Sequence, residues 1–134
     1  AAVDKLAPFY PSVGSKWTET TPLPGGNFSN KEALTAKLET QYSWLPEQLL
    51  RRYVRCYGTR VEQVLNGANN ESDLGMHFGN YLYEAEVNYL VEHEWAITVE
   101  DIIWRRTKLG LSMSSKQVAL LDYYLTKRTE PLVA

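Results

Sequence analysis

The sequence predicts an all-α fold: a small bundle of about five to six helices after an extended N-terminal segment rich in proline and glycine. Apolar residues recur at helical spacing along most of the chain, and helix start and stop signals bracket each periodic stretch. No stretch shows the sustained alternation that a half-buried strand requires. We therefore expect residues 29–134 to form one helical domain, and residues 1–28 to be the end of a preceding domain with its linker.

Residues 1–10 have the pattern of the last turns of a helix, with an apolar face and proline stops. The residues concerned are Val3, Leu6, Ala7, Pro8 and Pro11. A helix this short is marginal in water by itself, so we expect it to be the tail of a larger body. The linker then runs from Gly14 to Asn27 and contains Thr20-Thr-Pro-Leu-Pro-Gly-Gly26, a composition that sustains no regular element.

The helical domain opens with two helices that have clear boundaries. Ser29, with Glu32 three residues later, is a capping box for the first helix. Pro46 opens the second helix, and its apolar residues repeat at helical spacing until Gly58 ends it. The apolar faces of the two helices are Leu34, Leu38 and Tyr42 in the first, and Leu49, Leu50, Tyr53, Val54 and Tyr57 in the second.

A short third helix and an irregular crossing come next. Thr59 and Glu62 cap this helix, which closes before Gly67. From Gly67 to Asn80, the glycines and a pair of asparagines predict an irregular segment instead of a helix or a strand.

Three further helices complete the predicted bundle. One runs from Tyr83 to Trp95 and carries several acids, and the next runs from Val99 to Lys108 with Gly110 as its stop. The last helix begins after Ser114 and has an apolar face that consists of Val118, Leu121 and Leu125.

The bulk composition is typical of a globular domain. The chain has 134 residues, of which 44% are hydrophobic and 22% are charged, and a chain of this length buries roughly two thirds of its unfolded surface. Cys56 is the single cysteine, so no internal disulfide can form and a reducing compartment is expected. The formal net charge of -2 argues against attraction of the whole domain to nucleic acid or anionic lipid.

One arginine is predicted to lie inside the helical core. In a helix that starts at Thr98, Arg106 shares a face with aliphatic side chains, so its guanidinium needs a buried acidic partner. The aliphatic members of that face are Val99, Ile102 and Ile103. The preceding helix offers Glu86 and Glu94, on or beside its apolar stripe. We expect a structural ion pair of Arg106 with one of these acids, and the pattern leaves open which; an anion-binding Arg106 is the alternative.

Two further sets of residues are candidate interaction sites. Four arginines crowd the segment from Pro46 to Arg60 and form a candidate patch for a membrane surface or a partner, although a solvated helix face is the simpler interpretation. They are Arg51, Arg52, Arg55 and Arg60. Trp17 in the linker and Trp104 opposite the apolar stripe of its helix are candidate interdomain contacts. A second core helix would cover Trp104 equally well.

No catalytic, cofactor-binding or metal site is predicted in this chain. His93-Glu94 is similar to half of a zinc-protease motif, but Ile97 stands where the second histidine is required. Neither of the glycine-rich nucleotide-binding patterns is present.

Short motifs along nearly the whole chain carry a resemblance to a known family. Single motifs are weak, but their order and spacing together are specific. They are Lys5-Leu-Ala-Pro-Phe-Tyr10, Trp17-Thr18, Leu23-Pro-Gly-Gly26, Tyr57-Gly58, Asp73-Leu-Gly75, Phe78-Gly79, Tyr83-Glu-Ala-Glu86, Tyr89-Leu-Val-Glu-His-Glu94, Asp101 and Trp104-Arg-Arg-Thr-Lys108. In these motifs the chain resembles the C-terminal part of the bacterial respiratory, FAD-dependent glycerol-3-phosphate dehydrogenases.

The resemblance implies a parent enzyme that oxidises glycerol 3-phosphate to dihydroxyacetone phosphate and passes electrons through FAD to a membrane quinone. It places flavin and substrate in a preceding α/β body, so this chain is expected to bind no FAD and to carry no catalytic residue. The implied partners are that N-terminal FAD and substrate domain of the same chain, a second copy in a homodimeric parent, and a peripheral membrane surface, without nucleic acid. The implied location is cytoplasmic, on the inner face of the cell membrane.

We therefore expect an accessory helical domain that helps to fold, dock or dimerise its parent, with two alternatives from other classes. The segments Thr98–Thr107 and Ser115–Thr126, with a turn at Gly110, are compatible with a DNA-binding helix-turn-helix, which Asp122 and the acidic net charge argue against. A freestanding regulatory interaction module is the second alternative.

Overall fold

A computed structural model describes residues 5–10, 14 and 17–129, and most of these residues are helical. The described α-helices are α1 Lys31–Gln41, α2 Glu47–Tyr57, α3 Val61–Leu65, α4 Glu84–His93 and α5 Ser115–Thr129. A π-helix, Asp101–Arg106, lies between α4 and α5. Short 3-10 turns are Ala7–Phe9, Gly58–Arg60, Glu71–Leu74 and Leu109–Leu111. The predicted helical class is confirmed.

The predicted N-terminal helix is only partly within the described residues. Residues 1–4 and 11–13 lie outside them, and Ala7–Phe9 forms a single 3-10 turn. The linker then makes a turn in which Thr20 and Thr21 donate backbone hydrogen bonds to the carbonyl of Trp17.

Local signals set most helix boundaries, with one correction at α1. The cap is Asn30 and not Ser29, because the Asn30 side chain accepts the N–H of Ala33 at 2.9 Å. Helix α2 begins after Pro46 and ends at Gly58, as the proline and glycine predict.

A two-stranded hairpin replaces part of the predicted irregular crossing. Strand β1 (His77–Gly79) pairs antiparallel with β2 (Leu82–Tyr83), and both turn residues, Asn80 and Tyr81, have positive φ as in a type I′ turn. Strands of three and two residues are too short to show alternation, and Tyr81 stands where such turns favour glycine. The prediction of no strand was wrong for these physical reasons.

The segment predicted as an α-helix from Val99 to Lys108 is wound as a π-helix. Its backbone bond from Thr107 N–H to the Ile102 carbonyl, 2.9 Å long, spans five residues, and the Thr107 hydroxyl donates to the same carbonyl. The wider turn rotates each successive residue less about the helix axis. Arg106 consequently moves from the centre of the apolar stripe, where Ile102 and Ile103 remain buried, to its edge.

The core lies where the helices meet the hairpin. Helix α1 packs on α2, α3 on α4, the π-helix on α4, and α5 on β1. The largest fully buried side chains include Tyr53, Phe78, Leu90, Ile102 and Leu121. Among the described residues, no helix combines the length and the apolar character that crossing a membrane demands.

The linker is anchored to the helical domain by two glycines in close contact. Gly25 accepts a hydrogen bond from Thr59 N–H at 3.0 Å, and a Cβ added at Gly58 would lie 2.0 Å from the Gly25 oxygen. Gly58 has φ +56 and Gly25 has φ +82, in the left-handed region. Both positions therefore require glycine for space and for backbone conformation. We call Gly25, Tyr57, Gly58, Arg60 and Tyr89 the linker junction.

We predict that Gly58→Ala destabilises the protein much more than Gly67→Ala. Both glycines have positive φ, but a Cβ at Gly67 meets nothing within 4 Å. Gly67→Ala should cost about 1 kcal/mol of unfolding free energy from the backbone alone. Gly58→Ala should cost about 3 kcal/mol or more, because steric overlap adds to backbone strain. Urea unfolding measures both, and equal losses would show that the contact of Gly58 with Gly25 is not tight.

Candidate functional site

A fully buried carboxylate organises the centre of the domain. Glu86, in the first turn of α4, is completely shielded from solvent, and Arg52 of α2 donates to both of its oxygens at 2.6 Å. The Arg52 side chain is only 11% exposed. Such a bidentate, charge-assisted pair is the geometry that a guanidinium and a carboxylate prefer. The pair joins two helices whose residues are 34 positions apart.

Two tyrosines complete this buried charge cluster, which we define as Arg52, Tyr53, Tyr57 and Glu86. The Tyr57 hydroxyl donates to Glu86 Oε1 at 2.6 Å, and the Arg52 guanidinium lies 5.0 Å from the centre of the Tyr53 ring. Burial, together with the charge of Glu86, raises the pKa of Tyr53 and of Tyr57 well above the ordinary value. Both tyrosines therefore stay neutral.

Arg52 also fixes the hairpin turn. Its Nη2 donates to the carbonyl of Tyr81 at 2.9 Å, while His77 Nε2 accepts the Tyr81 N–H at 3.2 Å. Burial lowers the pKa of Arg52, but the hydrogen bonds and charge of Glu86 outweigh it, so the net pKa lies above the ordinary value. The charged guanidinium thus ties α2, α4 and the hairpin together.

The linker junction lies directly beside this cluster. Tyr57 contributes its hydroxyl to Glu86 and its backbone oxygen to the contact with Gly25. Its ring packs against Tyr89 with centroids 5.4 Å apart, and Arg60 donates to the Tyr89 hydroxyl at 3.3 Å. The point where the linker meets the helices is therefore fixed by the same side chains that hold the buried charge.

Arg106 pairs with Glu94, one of its two predicted partners, but the predicted burial of the pair was wrong. Glu86, one of its two expected partners, is bound by Arg52 instead. Arg106 lies near Glu94, with Nε 3.6 Å from Oε2, and its Nη2 donates to the Glu94 carbonyl at 2.6 Å. The side chains are 34% and 30% exposed, so this pair is not buried. The pair is exposed because the winding of the π-helix moves Arg106 to the edge of the apolar stripe.

The predicted arginine patch is divided by the fold. Arg52 is committed to Glu86, and Arg60 is half-buried against Tyr89. Arg51 pairs with Glu47 on the exposed side of α2, and Arg55 is exposed. Arg51, Arg52 and Arg55 line one open pocket together with Lys31, but Arg60 is not part of it, so the four arginines do not form a single patch. In the sequence, Arg52 lies next to Leu49 and Tyr53 on the flank of the α2 apolar stripe. This position could have indicated that the Arg52 side chain is buried.

The two tryptophans named from the sequence both lie at the surface. Trp17 is exposed in the linker turn, and Trp104 is exposed on one side while its ring covers Gly110 on the other. A Cβ added at Gly110 would approach the Trp104 ring to 2.6 Å. The stop glycine of this segment is thus also the residue that lets the indole pack.

Nucleotide phosphates are commonly bound at a glycine-rich step from a strand into the N-terminus of a helix. Among the described residues, the one place where a strand runs directly into a helix is the step from β2 to α4, and it contains no glycine. Its first helical turn carries Glu84 and Glu86, which repel a phosphate. No group of metal-binding side chains occurs within the described part of the chain. The buried charge cluster joins α2, α4 and the hairpin turn through Arg52, Glu86 and Tyr57.

Comparison with known proteins identifies the chain's relatives. Residues 16–126 match the family described as the C-terminal domain of alpha-glycerophosphate oxidase. The chain is 49% identical over 126 residues to a glycerol-3-phosphate dehydrogenase of Pseudomonas aeruginosa, covering 93% of this chain and 25% of that protein. It is 40% identical to the aerobic glycerol-3-phosphate dehydrogenase of Escherichia coli, with coverage of 96% and 26%.

A third relative is named for a different substrate. The D-erythritol 1-phosphate dehydrogenase of Brucella abortus is 42% identical over 123 residues, covering 90% of this chain and 24% of that protein. The chain thus spans about a quarter of the length of these relatives.

We predict that loss of Arg52 destabilises the protein because it strands the charge of Glu86. Arg52→Met should cost about 3 to 5 kcal/mol of unfolding free energy. Replacing both partners, in Arg52→Met with Glu86→Leu, should recover most of this loss. Arg51→Met is the matched control, since its pair with Glu47 is solvent-exposed and should contribute at most about 1 kcal/mol. Additive single-variant losses in a double-mutant cycle would contradict the coupling.

We also predict a loss of stability at alkaline pH that depends on Tyr57. Unfolding returns Tyr53 and Tyr57 to the ordinary pKa near 10, so the unfolded chain releases these protons first as pH rises. Their contribution to stability is constant below that pH. Above it, the free energy of unfolding should fall by up to about 1.4 kcal/mol per pH unit for each tyrosine.

Denaturant titrations from neutral pH to above the ordinary tyrosine pKa measure this slope. Tyr57→Phe should make the alkaline slope shallower, although the variant is less stable at neutral pH. Tyr123→Phe should leave the slope unchanged because Tyr123 is exposed. A Tyr57→Phe slope equal to that of the wild type would show that the Tyr57 hydroxyl does not titrate as proposed.

Proposed function

Because the chain belongs to the family of C-terminal domains of alpha-glycerophosphate oxidase, we propose that it is the helical accessory domain of an FAD-dependent glycerol-3-phosphate dehydrogenase. The proposed parent oxidises glycerol 3-phosphate to dihydroxyacetone phosphate, and electrons pass through FAD to a quinone. The observation that carries the proposal is 40 to 49% identity, over more than nine tenths of this chain, to two proteins named glycerol-3-phosphate dehydrogenases.

In the proposed parent, this chain holds the linker in a defined position relative to the helical domain. The linker junction holds Gly25 against Gly58, which gives the linker a defined exit from the helical domain. The buried charge cluster stiffens the helices behind that exit. Flavin and substrate are assigned to the preceding domain, since the described residues offer neither a phosphate cradle nor a metal cluster.

Substrate choice is assigned to the same preceding domain. Two relatives with similar sequence identity to this chain are named for glycerol 3-phosphate and for D-erythritol 1-phosphate. Both compounds are phosphate monoesters of polyols. A helical domain that both kinds of relative share does not need to discriminate between the polyol chains. We therefore propose that this chain supports the reaction without selecting the substrate.

We further propose a homodimeric parent that lies peripherally on the cytoplasmic face of the cell membrane. The resemblance of the motifs supports this placement. The fold weakens the case for a membrane contact through α2, because only Arg51 and Arg55 of the arginine patch remain exposed. Each contributes about 1 kcal/mol near an anionic surface, and Arg51 is already paired with Glu47. The principal membrane contact is therefore assigned to the preceding domain.

The nucleic-acid alternative finds no support. The first of its two helices is the π-helix Asp101–Arg106, and α5 packs into the core through Leu121 and Leu125. The family match spans this region as far as residue 126.

The proposed function is tested with the complete protein that contains this sequence. It should purify with bound FAD, and anaerobic glycerol 3-phosphate should bleach the visible absorbance band of the flavin. Glycerol is the control and should leave the band unchanged, while D-erythritol 1-phosphate tests the substrate range. A complete protein that binds no flavin, or whose flavin no polyol phosphate reduces, would contradict the assignment.

The accessory role of this chain has a separate test. After incubation with FAD and gel filtration, the 134-residue chain alone should retain no stoichiometric flavin. Tight retention would mean that a flavin site lies within this chain and would overturn the positional role.

A further inference from the structure

The loop between α4 and the π-helix displays two apolar side chains in solvent. Trp95 is 84% exposed and Ile97 is 74% exposed, whereas Ala96 between them is 1% exposed. We call residues 94–98 the Trp95 loop. Adjacent apolar side chains that are this exposed mark a contact surface, and tryptophan is the residue most enriched at the energetic centres of interfaces.

The Trp95 loop is held rigidly from both sides. Ala96 N–H donates to the Leu90 carbonyl at 3.1 Å, and the N–H groups of Ile97 and Thr98 donate to Asp101 Oδ2 at 3.0 and 2.9 Å. These bonds lower the pKa of Asp101 well below its usual range, so the carboxylate stays charged as an acceptor.

Two further features fix the loop backbone. Arg106 donates to the Glu94 carbonyl through Nε and Nη2, and Trp95 itself has φ +55, a strained conformation for a bulky residue. The backbone that carries the indole is therefore ordered before any partner binds, which lowers the entropic cost of association.

The Trp95 loop is connected to the linker junction through three successive contacts. Gly25 contacts Tyr57, the Tyr57 and Tyr89 rings are 5.4 Å apart, and the Tyr89 and His93 rings are 5.1 Å apart. His93 is the last residue of α4, two positions before Trp95. A continuous row of packed rings therefore connects the linker junction with the end of α4 from which the loop starts.

Three arginines near the loop are paired within the domain. Arg106 lies near Glu94, Arg105 bonds Asp101, and Arg128 pairs with Glu92. Anionic lipid attracts segments with unpaired cations, which these pairs do not supply. An apolar centre with a neutralised polar rim is the usual anatomy of a protein interface.

We infer that the Trp95 loop is the docking contact for the preceding domain of the same polypeptide, with Trp95 and Ile97 seated in an apolar recess on that domain. The inference rests on the proposed function, in which such a domain precedes the linker. The relatives extend over about four times the aligned length, so a domain of sufficient size is available to cover the loop.

Hydroxyl-radical footprinting of the complete protein tests the contact. The oxidation rate of each side chain is compared between the native and the urea-unfolded protein. Trp95 should be protected several-fold, although it is 84% exposed in this domain, and Tyr123, which is 62% exposed on α5, should be nearly unprotected. The oxidation rate of each residue in the native protein is divided by its rate in the unfolded protein. If this ratio is the same for Trp95 and Tyr123, the inference is overturned.

Other occupants are separate outcomes of the same measurement. Protection that disappears when the protein is diluted to a monomer assigns the loop to a second copy. Protection that appears only after addition of anionic phospholipid vesicles assigns it to lipid. Either result overturns docking on the preceding domain. Flavin bleaching by glycerol 3-phosphate in the same sample separates the two proposals, because bleaching with an unprotected Trp95 leaves the proposed function intact.

A matched pair of double variants in the complete protein gives a second readout. Trp95→Ser with Ile97→Ser should increase the rate of proteolysis within the linker, residues 14–27, several-fold by releasing the docked domain. Tyr123→Ser with Leu111→Ser removes equally exposed apolar side chains elsewhere and should leave that rate unchanged. All four side chains are exposed in this domain, so circular dichroism should show folded variants. Equal linker cleavage in wild type and both variants contradicts the docking.

Discussion

The bidentate pair of Arg52 with Glu86 is the constraint on which the rest of the domain depends. It places a carboxylate with no solvent contact at the start of α4 and balances it with a guanidinium from α2. A charge pair in this position contributes little net stability compared with an apolar core, but neither partner can be removed alone without a large penalty. The pair therefore specifies how α2, α4 and the hairpin turn at Tyr81 fit together more than it stabilises them.

Tyr57 transmits this constraint to the edge of the domain. Its hydroxyl binds Glu86, its ring packs on Tyr89, and its backbone oxygen contacts Gly25 of the linker. One residue thus connects the buried charge with the point at which the chain enters the bundle. In the proposed parent, this connection and the ordered backbone of the Trp95 loop support a positional role of the domain.

Sequence signals predicted the helices whose ends are set by residues next to them in the chain. Pro46 and Gly58 bracket α2 because a proline starts a helix and a glycine tolerates its left-handed end. The hairpin was missed because its strands are too short to alternate and its turn lacks a glycine. The π-helix was missed because its apolar spacing also satisfies an α-helix. In the structure, the N–H and the hydroxyl of Thr107 both donate to the carbonyl of Ile102, five residues earlier.

The sequence by itself determined the helical class, most helix boundaries and the family resemblance, since each depends on neighbouring residues or on the order of motifs along the chain. It also indicated that Glu86 faces the core. Only the tertiary structure decided that Arg52, and not Arg106, meets this acid. The two residues are 34 positions apart, and their contact depends on how the flanks of two helical stripes turn towards each other. Periodicity places a side chain on a face of its own helix, but which opposite face it meets is decided by packing.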